Sequence, residues 1–134
     1  MTRTYVIAWL GALLPFLAID LLWLGVIARD FYAAQLGPLL APRPRWGVAL
    51  GFYAVYCAGI VLFAVTPGLA ADSLGRTLLL GAALGFLAYG TYDMTNLATL
   101  RGWPVLMSVV DIAWGTVLTA TVATLSHLAV RYFG

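Results

Sequence analysis

Four long apolar runs, separated by short polar breaks, organise this chain. They extend over about residues 5–27, 46–66, 77–100 and 104–128. A helix crosses the hydrocarbon core of a bilayer with about 20 apolar residues, so each run is long enough to span. The pattern predicts an all-α membrane protein. It would be an antiparallel four-transmembrane-helix bundle forming a single domain over 1–134, with an interfacial loop between helices 1 and 2.

The breaks carry recognisable turn chemistry. Thr66-Pro67-Gly68 is expected to end the second helix, and Asp72 or Ser73 to cap the third by accepting from its free backbone N–H groups. In Arg101-Gly102-Trp103-Pro104, Gly102 suits the left-handed position after a helix and Pro104 the first turn of the next. The third and fourth spans should therefore form a tight hairpin. The longer connection, residues 28–45, mixes Phe31, Tyr32, Leu36, Leu39 and Leu40 with Pro38, Pro42 and Pro44. The prolines oppose one continuous helix and the apolar residues oppose a solvated loop, so a short segment lying on the membrane surface is expected.

Composition supports this frame. The chain is 63% hydrophobic and 9% charged, against about 25% charged in soluble domains, which leaves little room for a soluble domain. The formal charge of +2 points neither to nucleic acid nor to a polybasic lipid sensor. The N-terminal run is too long for a signal peptide, contains Asp20 and lacks a small-residue cleavage site, so it reads as the first span. With the N-terminal face named side A and the opposite face side B, Arg3, Arg76 and Arg131 fall on A and Arg29, Arg43, Arg45 and Arg101 on B. That balance gives no positive-inside signal. The single Cys57 reads as a small packed hydrophobe.

The informative departures from the apolar pattern are Asp20, Asp93 and Asp111. An aspartate at the centre of a membrane helix costs about 2.5–3.5 kcal/mol on insertion scales. Each lies about seven residues from side B, roughly 10 Å deep at 1.5 Å per residue, and Tyr53 falls at the same level. Helix spacing places Tyr89, Asp93 and Asn96 on one stripe, and Ser108, Asp111, Gly115 and Thr119 on another. Lipid offers polar groups no partner, so both stripes should face inward and form a polar pocket open toward side B, with Arg101 above it as counter-ion or gate. Gly47-x-x-x-Gly51 and Gly81-x-x-x-Gly85 are candidate helix-packing pairs, and they leave a homodimer open.

Other chemistry is weaker. Asp20-x-x-Trp23 and Asp111-x-x-Trp114 look alike, but an inverted repeat would place the second Asp near side A, so the similarity reads as chance. Three carboxylates with tyrosine and amide oxygens would suit a hard cation, yet neither a metal nor another cofactor is the expectation. His127 falls toward side A, away from the aspartates, and reads as an interface residue. There is no nucleophile–His–acid arrangement, P-loop or dinucleotide fingerprint. Buried aspartates can also simply hold helices together through Tyr, Asn or Arg partners.

The stretch Leu87-Ala-Tyr-Gly-Thr-Tyr-Asp-Met-Thr-Asn-Leu-Ala-Thr-Leu100, followed by Trp103-Pro104 and by Val110-Asp-Ile-Ala-Trp-Gly115, resembles a bacterial membrane-protein family, domain of unknown function 2177. Asp20 with Trp23-Leu-Gly25, and Phe31-Tyr32, also resemble its pattern. The resemblance spans almost the whole chain. It implies a small four-helix, multi-pass protein of the bacterial inner (cytoplasmic) membrane and assigns no reaction.

The leading reading is a non-enzymatic membrane protein surrounded by the lipid bilayer. It would bind or pass a small polar or cationic species, or protons, or serve as a membrane accessory subunit. Asp20, Asp93 and Asp111 would do the work, assisted by Tyr53, Tyr89 and Asn96. The alternative is an enzyme acting on a lipid or isoprenoid headgroup through carboxylate-bound Mg²⁺. It is disfavoured because few basic residues accompany the acids. No partnership with nucleic acid is expected.

Overall fold

The computed structural model describes residues 2–134. Four helices are long and apolar enough to cross a membrane: α1 (Thr2–Ile27), α3 (Trp46–Ala70), α4 (Leu74–Thr99) and α5 (Val105–Phe133). A short helix, α2 (Arg29–Leu36), and a single 3₁₀ turn (Gly37–Leu39) occupy the connection after α1. The described residues contain no strand. The four-span frame is as the apolar pattern predicts, although α1 and α4 begin three residues earlier and two helix ends lie further on. α3 does not stop at Thr66-Pro67-Gly68 but continues to Ala70, and α5 extends beyond Leu128 to Phe133. Proline lacks the N–H that would bond one turn back. The wide π-turn over Val61–Val65, just before Pro67, relaxes that part of the hydrogen-bond ladder and lets the helix run through.

α5 is the organising helix, and it carries two adjacent seams of period four. Along the first, Asp111, Gly115, Thr119, Ala123 and His127 meet Asp93, Tyr89, Gly85, Gly81 and Thr77 of α4 in antiparallel order. Small residues make this approach possible. A Cβ on Gly81 would lie 2.9 Å from Ala123 Cβ, and a Cβ on Gly85 would collide with the Gly115 carbonyl. Along the second seam, Trp114, Leu118, Val122 and Ser126 face Asp20, Phe16, Ala12 and Ala8 of α1. Its two ends are fixed by Trp114 Nε1 donating to Asp20 Oδ1 (3.3 Å) and Ser126 Oγ donating to the Ala8 carbonyl (2.7 Å). α3 closes the bundle from the remaining side. Its Tyr53 and Tyr56 rings pack on Phe16, and its Ala54 carbonyl accepts from Trp9 Nε1 at 3.0 Å. Trp9 therefore pins α1 to α3.

The two Gly-x-x-x-Gly pairs have opposite fates. Gly81 and Gly85 build the α4–α5 seam, whereas Gly47 and Gly51 have open space where a side chain would stand. At side A, Ser73 Oγ accepts from Arg76 N at 3.1 Å as the α4 cap, Asp72 pairs with Arg131, and Arg3 donates to the Phe133 carbonyl. Gly102 holds φ +79° in the tight turn between α4 and α5.

With an even number of spans, both ends of the chain lie on one side. Reporter fusions placed after Arg3 and after Arg131 are expected to report the same compartment. Opposite reports would remove the four-span topology.

Candidate functional site

The site forms where the two seams of α5 reach side B. Asp93 and Asp111 are the last pair of the α4–α5 seam, and their carboxyl groups are neighbours across it. Asp93 is 0% exposed, and neither of its carboxyl oxygens has a hydrogen-bond donor from the protein. Asp111, half-buried, accepts from the Tyr32 hydroxyl at 2.8 Å. The Tyr32 hydroxyl in turn accepts from Trp23 Nε1 at 3.2 Å. Asp20 is 4% exposed, with Trp114 Nε1 on one side and the Tyr53 hydroxyl lying against it on the other.

These contacts cross over between helices. Each helix carries Asp-x-x-Trp, and in the antiparallel register each tryptophan serves the other helix's aspartate. Trp114 bonds Asp20 directly, while Trp23 reaches Asp111 through Tyr32. The two indoles stack between them at 4.2 Å, with 8° between their planes. The matching motifs that read as coincidence in the sequence are thus complementary halves of one contact. The same register corrects the depth reading. Asp93 and Asp111 lie level, but Asp20 lies opposite Trp114, three residues along α5 from Asp111. That is about 4.5 Å further from side B. Packing of Ala8 on Ser126 sets this offset, and counting residues from the helix ends did not capture it.

On side B, part of the connection after α1 lies over the cluster. α2 folds back over it. Ala28, Tyr32 and Met107 form a small apolar core with Trp23, Phe31, Leu36 and Trp103 around it. The connection was expected to lie on the surface, but one of its side chains enters the bundle. Burial foremost, and then the neighbouring Asp111, push the Tyr32 hydroxyl above its ordinary value, so it remains a proton donor. Tyr32→Phe would leave Asp111 Oδ1 and Trp23 Nε1 without this partner. Hydrogen bonds to charged groups are worth about 1.5–3 kcal/mol, and a loss of that order is expected in detergent unfolding. Amide exchange across residues 29–36 should also accelerate. An unchanged exchange pattern would show that the bond does not hold α2 down.

The remaining expected residues are less central. The Tyr89 ring packs on Gly115 and, edge-on at 6.4 Å, on Tyr56. Asn96 lies beside Tyr92, and no hydrogen bond joins it to the carboxylates among the described residues. Arg101 is exposed in the α4–α5 turn, and the ion pair among the described residues is Arg131–Asp72. Among the described residues no group of three or more His, Cys, Asp or Glu could hold a metal ion. His127 lies toward side A, but its side chain turns into the bundle and does not face the membrane interface. It is fully buried, with Nδ1 2.7 Å from Thr77 Oγ1.

No curated protein and no solved structure is detectably similar to this chain. The model of a family described as a predicted membrane protein, DUF2177, matches residues 5–128, a stretch that contains every member of the cluster. The chain therefore belongs to the DUF2177 family of membrane proteins, whose function is unknown.

Proposed function

We propose that this protein binds and passes protons across a bacterial inner membrane, with Asp93 and Asp111 as the binding pair. The observation that carries this reading is the pair itself: two facing carboxyl groups, one fully buried and without a donor from the protein. Ionised carboxylates are acceptors only, so the contact is satisfied only when a proton or a small cation lies between them. A divalent cation takes six or more oxygen ligands, and two carboxyl groups whose neighbouring acid, Asp20, is already partnered by Trp114 are a poor cage for one. For a proton they suffice.

The other side chains have matching roles. Trp114 and Tyr53 hold Asp20 as a separate, already partnered carboxyl close to the pair. Tyr32 donates to Asp111 and covers the pair from side B, so release there requires α2 to lift or Tyr32 to swing away. The enzymatic alternative gains no support from the geometry. A phosphate headgroup needs cations beside the acids, and Arg101, the arginine nearest in sequence, is exposed and unpaired. The test is proton movement into liposomes containing the purified protein, followed with an internal pH dye. Flux that depends on Asp93 is expected, and the absence of protein-dependent flux would contradict the reading.

A further inference from the structure

We infer that His127 is a second proton-binding station, serving side A of the membrane as Asp93–Asp111 serves side B. This rests on the reading of the aspartate pair given above. The α4–α5 seam that ends at Asp93·Asp111 begins at Thr77·His127. Four buried side-chain atoms of the described residues lack a hydrogen-bond partner: both Asp93 oxygens, Trp103 Nε1 and His127 Nε2. Three of the four therefore belong to the two ends of one seam.

His127 lies sixteen residues beyond Asp111 on α5, about 24 Å along the axis. The hydrocarbon core is about 30 Å thick. The two ends thus sit toward opposite faces of the membrane.

The Thr77 hydrogen bond uses only one of the two ring nitrogens of His127. Its Nδ1 is engaged by Thr77, but its Nε2 is buried without a partner, and such an unmade bond costs about 1–3 kcal/mol. The end of α3 closes over Thr77 at Gly68, where any side chain would collide with the Thr77 hydroxyl. The charged groups around this end are few. Arg76 adjoins Thr77 on α4, Arg131 lies one turn on along α5 and is paired with Asp72, and Arg3 of α1 is bonded to the Phe133 carbonyl. Among the described residues, the Asp72 carboxylate at this end is paired with Arg131 and not with His127.

Between the stations, Tyr56 and Thr119 share a hydrogen bond of 2.8 Å. The Gly81·Ala123 layer between them and His127 is packed too closely for a side chain, since a Cβ on Gly81 would stand 2.9 Å from Ala123. That layer is the barrier, and it separates two stations in place of one continuous wire. In passage, His127 Nε2 takes a proton from side A to become imidazolium and gives it up inward when the layer opens. The same proton rests on the aspartate pair and leaves at side B. Nothing is oxidised or reduced, and each group returns to its starting state.

His127 is the only histidine in the chain, so it can be read directly. The experiment uses the full chain, purified without a histidine tag and reconstituted in lipid. It measures dye-reported proton flux for wild type, Asp93→Asn and His127→Gln, together with ¹⁵N-histidine NMR of the wild type over about pH 5–8, where imidazole ordinarily titrates. Flux reduced at least about tenfold by His127→Gln, with a ring that takes up a proton in this range, is the expected result. Wild-type flux in His127→Gln with none in Asp93→Asn would overturn the station and leave the aspartate reading standing. No flux from wild type would overturn both. If His127→Gln fails to fold, the NMR decides: protonation supports the station, and a ring that stays neutral throughout overturns it.

Discussion

Asp93→Asn is expected to leave the bundle assembled and to abolish proton passage. Asparagine matches aspartate in shape and brings an NH₂ group that can donate across the seam to Asp111, so the buried position gains the protein partner it now lacks. Removing an unpartnered acid from an apolar site relieves a penalty, and the detergent melting temperature should be unchanged or higher. The substituted pair, however, can no longer share a proton. Loss of a positioned proton-transfer group costs about 10²–10⁴-fold in rate, and flux in liposomes should fall by that order. A folded Asp93→Asn protein with full flux would return Asp93 to a purely structural role.

The second large effect is steric. Gly115→Leu should prevent the α4–α5 hairpin from closing, because even a Cβ at Gly115 would collide with the Tyr89 ring. Overpacking a tight interior costs about 1–3 kcal/mol and sometimes more. Here the clash sits one turn from Asp93·Asp111, so the pair would be pushed apart as well. The milder Gly115→Ala makes the cause identifiable. Alone it should lower stability by about 1–3 kcal/mol, and in a Tyr89→Ala background the added cost should largely vanish, since contacting residues couple strongly. Gly47→Ala and Gly51→Ala serve as controls, with nothing within 4 Å of the new methyl. Equal penalties at Gly51 and Gly115 would contradict the seam.

The spans were legible because the apolar runs are long and a bilayer demands about 20 residues of each. The tight hairpin was legible from Gly102 and Pro104. Asp93 and Asp111 could be placed level because that hairpin is short and fixes its own register. Asp20 could not be placed as well, because its depth depends on how α1 packs on α5, a tertiary choice made at Ala8 and Ser126. Tyr32 was read as surface because a connection's direction is set by what it can cover. Here it covers an aspartate. The burial of His127 is not legible in the sequence, because it depends on α5 running on to Phe133 and α3 to Ala70. Two Asp-x-x-Trp motifs on antiparallel helices can pair acid to indole without any repeat, and these do.

The central claim is that Asp93 and Asp111 act as one proton-binding unit, and infrared spectroscopy of the carboxyl C=O stretch in lipid measures this most directly. Spectra across a pH series for wild type, Asp93→Asn and Asp111→Asn separate the pair from the other aspartates. A carboxyl band in wild type that disappears or shifts in both single variants is the result predicted by a shared proton. Independent, unchanged titration of the remaining carboxyl in each variant would contradict it.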